Sequence, residues 1–166
     1  IKINSNNGQI LGSLNSARSL YDLDTDFFKS SDVVIADKDI ILSTTESFFS
    51  FNIDNGALQW KKKISSTNTP IVDKNNIFLV TDNGFFINLN RENGKILWST
   101  NILKHLKKKK QQTKISGYIL GSGKIYATTL NGYLIVSSAI NGKCSIFFDM
   151  LRASLRSNKI IQWSPT

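Results

Sequence analysis

The chain has 166 residues, 40% of them hydrophobic and 20% charged, enough apolar material for one domain's core and too much for a collagen-like, mucin-like or wholly disordered chain. No apolar run approaches the ~18 residues of a membrane helix, and a single Cys, His and Met leave too few ligands for most metal, haem or disulfide chemistry. The 21 Lys and Arg against 12 Asp and Glu give a net charge of +9, which suits an anionic partner only where the charge gathers on one face.

In chain order, the sequence opens on Ile1, without the Met, basic stretch and cleavage site of a leader peptide, as expected of a mature chain or a fragment. A glycine-centred motif follows at once, Ser5-Asn6-Asn7-Gly8-Gln9-Ile10, and it returns three times. Asp54-Asn55-Gly56-Ala57-Leu58-Gln59-Trp60 lies 48 residues on, Glu92-Asn93-Gly94-Lys95-Ile96-Leu97-Trp98 a further 38, and Ile140-Asn141-Gly142-Lys143-Cys144-Ser145-Ile146 a further 48. Upstream of each glycine the agreement continues: Asn76-Ile77-Phe78-Leu79-Val80 through Asn83-Gly84-Phe85-Phe86-Ile87 matches Lys124-Ile125-Tyr126-Ala127-Thr128 through Asn131-Gly132-Tyr133-Leu134-Ile135. The second unit reads as short strands over residues 71–73, 77–81, 85–89 and 95–99. Asn83-Gly84 and Asn93-Gly94 are the turns, expected as type I′ with both central residues at positive φ. Phe48-Phe49, Phe85-Phe86 and Tyr133-Leu134 fall at the same third-strand place and read as core.

The two longer spacings carry insertions, residues 13–29 and 101–114, each between the fourth strand of one unit and the first of the next. Insertions recurring at one place in a repeat map to one face, often the binding face. In the first, Asp22, Asp24 and Asp26 alternate like a calcium loop, but its Gly and terminal bidentate Glu are missing and Phe27 and Phe28 follow directly; a solvated loop is expected. The second holds Lys104-His105-Leu106 and the run Lys107, Lys108, Lys109, Lys110. His105 has no orienting partner nearby, so no base catalysis is expected of it. The lysines could hold phosphate groups, but no aromatic lies between Ser99 and Gly117 to stack on bases, so nucleic acid is not expected as a partner. Leu103, Leu106 and Lys107 to Lys110 are the candidate partner-binding residues. Cys144 reads as a small apolar strand residue.

About 40 residues in four strands is the size of a propeller blade, whose sheet must stack on its neighbours to bury both faces. The expectation is an all-β chain, a β-propeller segment of four-stranded antiparallel blades forming an open ring. The repeats cover about residues 1–12 in part, 31–64, 69–102 and 115–147, and a poorly matching tail, 148–166, could begin another blade at Trp163 or form a short basic helix near Met150. The glycines Gly8, Gly56, Gly84, Gly94, Gly132 and Gly142, with Trp60 and Trp98, are the structural repeat positions.

A polar residue, two positions, Gly, then Trp four residues later, after a strand and an Asn-Gly turn, resembles the PQQ-like β-propeller repeat. The chain is similar to the BamB-like scaffolds of the outer-membrane β-barrel assembly machinery, in the Lys/Asn/Ile-rich form of alphaproteobacteria, over about residues 1–147. The resemblance implies strand-four tryptophans packed between blades, weaker seams where Gly12 and Ile146 replace Trp, and about eight blades in a whole ring, so that this chain is a part. It implies a non-catalytic scaffold without a cofactor on the periplasmic side of the outer membrane, tethered by a lipid on a Cys this chain lacks. Its partners would be the barrel-assembly protein and nascent outer-membrane proteins. PQQ-dependent dehydrogenases share the repeat and supply the alternative, although the adjacent cysteine pair that stacks on their quinone has no counterpart beside Cys144; a ligand-sensing propeller is a further one.

Overall fold

The computed structural model describes residues 1–13, 30–106 and 113–150. Their strands are β1 (Lys2–Ile3), β2 (Ile10–Gly12), β3 (Val34–Ala36), β4 (Asp39–Ser43), β5 (Phe48–Asn52), β6 (Leu58–Lys62), β7 (Ile71–Asp73), β8 (Asn76–Val80), β9 (Phe85–Asn90), β10 (Ile96–Asn101), β11 (Ile115–Gly121), β12 (Lys124–Thr129), β13 (Tyr133–Ser138) and β14 (Cys144–Asp149). Three four-stranded antiparallel sheets, β3 to β6, β7 to β10 and β11 to β14, each follow chain order as a meander, and β1 pairs with β2 in a separate hairpin. The expected all-β blades are present, and among the described residues the sheets do not close into a ring.

The middle sheet explains the stacking. Side chains alternate along a strand, so Ile77 and Leu79 of β8 turn to one face with Ile87 and Leu89 of β9, where they meet Ile41, Phe48 and Trp60 of the first sheet and Ile64 just beyond it. Phe78, Val80 and Phe86 turn to the other face and meet Ile125, Ala127, Tyr133 and Ile135 of the third. A sheet covered on both sides needs apolar residues at successive positions, and that is why β8 reads Ile-Phe-Leu-Val without alternation.

The turns differ from expectation. Asn55, Asn83, Asn93, Asn131 and Asn141 are not in the left-handed region; among the described residues the non-glycine positions at positive φ are Asp37, Lys74 and Ser122, and the adjacent pair with both members there is Ser122-Gly123. The third-to-fourth strand turns are four-residue loops built by a residue upstream of the motif. Asn52 Oδ1 accepts the Asp54 and Asn55 N–H groups at 2.8 and 3.2 Å, which curls the chain until the Gly56 N–H reaches the Asn52 carbonyl at 2.8 Å. Gly56 alone then takes φ +69°. The same closure, glycine N–H to the carbonyl four residues back, recurs at Asn4 and Gly8, Asn90 and Gly94, and Ser138 and Gly142, each at 2.8 Å. The second-to-third strand turns are one residue tighter, with Gly84 N–H on the Thr81 carbonyl at 2.9 Å and Gly132 N–H on that of Thr129 at 3.0 Å.

The third-strand aromatics are also out of register by one in the first unit. Counted back from the turn glycine, Phe48 matches Phe86, and both are fully buried, whereas Phe85 is 38% exposed. The core expectation for that residue is corrected: its side chain falls on the alternate position at the strand's end.

Candidate functional site

Two constructions organise the described residues, the seams between sheets and a cleft at one end. At the first seam Trp60, on β6, donates its indole N–H to the Arg91 carbonyl at 2.8 Å and lies against the Gly94 turn, where a Cβ would come within 2.8 Å of its ring. At the second, Trp98 on β10 donates to the Ala139 carbonyl at 3.2 Å and lies against Gly142, where a Cβ would fall 2.5 Å from its ring. In both, the acceptor is three residues before the turn glycine, so each blade's fourth strand is latched to the same point on the next. Trp60 is buried and also packs its ring 5.5 Å from that of Phe48. Trp98 is half-buried.

The first seam carries an ion-pair clamp as well. Arg91 Nε donates to Asp39 at 2.6 Å, its Nη1 to Asp37 at 2.8 Å and its Nη2 to the Ala36 carbonyl at 2.6 Å. Gln59 extends the network, donating to Asp39 at 2.9 Å and accepting from Ser50 at 2.6 Å. Burial alone would lower the Arg91 pKa, but the two carboxylates outweigh it and hold it raised.

The end cleft, about 560 Å³, opens where the connections between sheets meet the β4–β5 and β8–β9 turns, and Ser30, Thr45, Thr67, Asn68, Asp82 and Lys114 are among its walls. Asp82 is already engaged: it accepts from Ser65 Oγ at 2.9 Å and from Thr67 N–H and Oγ at 3.1 and 3.0 Å. Deeper in, Ser66 Oγ donates to the Val80 carbonyl at 2.7 Å. Tyr118, whose phenol burial pushes well above its ordinary range, donates to the Thr69 carbonyl at 2.7 Å. The cleft thus presents hydroxyl and amide groups together with the exposed Asp82 carboxylate and the Lys114 ammonium.

The second insertion is only partly a surface loop. Asn101 Oδ1 accepts the Leu103 and Lys104 N–H groups at 3.0 Å and starts a 3₁₀ turn over Leu103–His105. This drives Ile102, Leu103 and Leu106 into the core between the second and third sheets. Leu103 occupies the space that a side chain at Gly84 would need. The expectation that Leu103 and Leu106 contact a partner is therefore corrected: they are 6% and 7% exposed because they fill a wedge-shaped gap in the seam. Lys107 to Lys110, the His105 side chain, Asp22, Asp24, Asp26 and the tail from residue 151 on, Trp163 included, lie outside the described residues. Leu106 and Thr113, which border residues 107–112 in the sequence, are both buried.

Of the remaining repeat positions, Gly8 faces open space. Half-buried Cys144 packs against the core, and burial pushes its thiol up. Among the described residues no three His, Cys, Asp or Glu side chains are grouped to hold a metal ion. The Arg91 clamp was not found by sequence reasoning. Its signal was a charged residue at a motif position where the other copies have Ser5, Ile53 and Ala139.

Successive four-stranded meanders, the middle one covered on both faces and each latched to the next by a strand-four indole, are the blades of a β-propeller of PQQ-like repeats. The family model of the outer membrane protein assembly factor BamB matches residues 3–100, more than half of the chain. The chain belongs to that family. BamB from Moraxella catarrhalis superposes with a TM-score of 0.57 at 17% identity, over 69% of this chain and 38% of that one. The quinohemoprotein alcohol dehydrogenase of Comamonas testosteroni gives 0.63 at 15% identity, over 74% of this chain and 21% of that one. The computationally designed Ika4 protein gives 0.61 at 12% identity, over 81% of each chain. At these identities the superpositions show the fold alone, and this chain spans well under half of both natural proteins. No curated protein matches it.

Proposed function

We propose that the chain works as part of a non-catalytic scaffold for outer-membrane β-barrel protein assembly, on the periplasmic side of that membrane, with the barrel-assembly protein and nascent outer-membrane proteins as partners. The observation that carries this reading is the BamB family match over residues 3–100. The use of the charged groups agrees with it: Arg91, Asp37 and Asp39 join one sheet to the next, and Asp82 ties its own turn to a connection. Such groups hold surfaces in place.

Contact with the partner falls to the end that carries the connections, with Lys107 to Lys110 as its basic element. Replacing those four lysines by glutamine is expected to weaken binding to the periplasmic part of the barrel-assembly protein roughly tenfold at low salt and much less at high salt. Leu103→Ala should instead leave affinity alone and cost about 2 kcal/mol of stability. Biolayer interferometry and urea unfolding separate the two, and unchanged affinity on removing the lysines would sink the assignment of this loop. A fragment of a PQQ-dependent dehydrogenase is the second reading, favoured by the superposition on the Comamonas testosteroni enzyme. Calorimetric titration with the quinone and calcium tests it, and on the scaffold reading no binding heat is expected.

A further inference from the structure

The acceptor used at each seam is the backbone carbonyl three residues before the turn glycine, Arg91 before Gly94 and Ala139 before Gly142. The corresponding acceptor on the first sheet is the Ile53 carbonyl, three before Gly56, and the hairpin of β1 and β2 lies before it. The residue of that hairpin in the tryptophan's place is Gly12, four after Gly8 as Trp60 is four after Gly56. Gly12 has no group to donate. Its cross-strand partner in the hairpin is Lys2, and Lys2 Nζ donates to the Ile53 carbonyl at 2.9 Å.

The geometry points to Lys2 as a replacement latch: an ammonium from the neighbouring strand that takes the carbonyl an indole takes at the other two seams. Lys2 occupies the third-strand position held by Ser50 in the first sheet and Asn88 in the second, each paired across from its tryptophan. A long flexible side chain there crosses the gap that a glycine opens. The two kinds of latch differ in strength. An indole buries a large apolar surface together with its hydrogen bond, whereas the Lys2 bond is exposed and Ile3, Ile10 and Leu11 beside it are 55%, 64% and 54% exposed. Among the described elements the hairpin is thus the one built to separate first, leaving the Ile53 carbonyl without the Lys2 donor.

A two-stranded hairpin is marginal by itself, so its amides report the latch. Hydrogen–deuterium exchange on the 166-residue chain would compare the parent with Lys2→Met, which keeps the side chain's length and removes the donor, and with Lys2→Met/Gly12→Trp. A Cβ at Gly12 meets nothing within 4 Å among the described residues, so the substitution starts without a clash at its first atom. Lys2→Met is expected to speed exchange over residues 2–12 roughly fivefold, the modest effect of an exposed charged donor, with residues 71–100 unchanged. Adding Gly12→Trp is expected to restore protection and to give an indole with blue-shifted emission. Unchanged exchange in Lys2→Met, a rise that spreads to residues 71–100, or no recovery with Gly12→Trp would each overturn the assignment.

Discussion

Trp60→Ala is expected to lower the free energy of unfolding by about 4 kcal/mol, and Trp98→Ala by about half of that. Both indoles do the same work on the next turn, but Trp60 is 7% exposed and is one wall of a core cluster with Phe48, Ile77 and Leu89. Its removal leaves a cavity and strands the Arg91 carbonyl, which loses a 2.8 Å bond. Trp98 is half-buried, its bond to the Ala139 carbonyl is longer, at 3.2 Å, and its ring stands 6.1 Å from that of Phe78. Urea unfolding followed by far-ultraviolet circular dichroism gives both values. Equal losses, or a loss under about 1 kcal/mol for Trp60, would mean that the seams rest on their aliphatic layers and that the indoles are incidental.

The four-copy register made the blades legible before any coordinates, because a glycine that must take positive φ cannot drift along a sequence. The turn geometry was misread for a local reason. Asn-Gly is the pattern of a two-residue turn, yet here the asparagine before the glycine accepts the N–H two residues on, and the polar residue four places before the glycine, Asn52, Asn90 or Ser138, curls the loop by accepting the N–H two residues ahead, Asn52 and Asn90 also the one three ahead. A polar residue stands at that place in every copy, Asn4, Asn52, Asn90 and Ser138. The one-residue slip between Phe48 and Phe85 has a similar origin: dipeptides were aligned by resemblance, while the strand's faces are counted from its turn.

The candidate site was harder to read because burial of a loop is a tertiary fact. Ile102, Leu103 and Leu106 are interrupted by Lys104 and followed by Lys107 to Lys110, a composition that reads as a charged surface loop. The 3₁₀ turn places the three apolar side chains inward together, where two sheets diverge and a gap must be filled. Arg91 was missed for the opposite reason. A single arginine in a turn between polar residues looks solvated until a neighbouring blade brings Asp37 and Asp39, more than fifty residues earlier, to its guanidinium.

That clamp sets the second large expectation. Arg91→Met should cost about 3 kcal/mol, because Asp39, only 15% exposed at its side chain, loses its ionic partner and keeps the Gln59 amide. Asp37 is 82% exposed and should contribute little. Removing both members, as Arg91→Met/Asp39→Asn, is expected to recover more than half of the loss, since the cost lies in the orphaned carboxylate more than in the missing attraction. The pH dependence follows from the direction of the arginine's shift. Burial lowers its pKa but the carboxylates raise it further, and a group whose folded pKa lies above its unfolded value contributes fully below the unfolded pKa, fading only as pH rises through the folded one. For a guanidinium that window is far into alkali, so the stability difference between parent and Arg91→Met should be the same at about pH 7 and about pH 10. Urea midpoints at the two values measure it. A difference that shrinks at the higher pH would show that a lysine, and not Arg91, supplies the positive charge that this seam depends on.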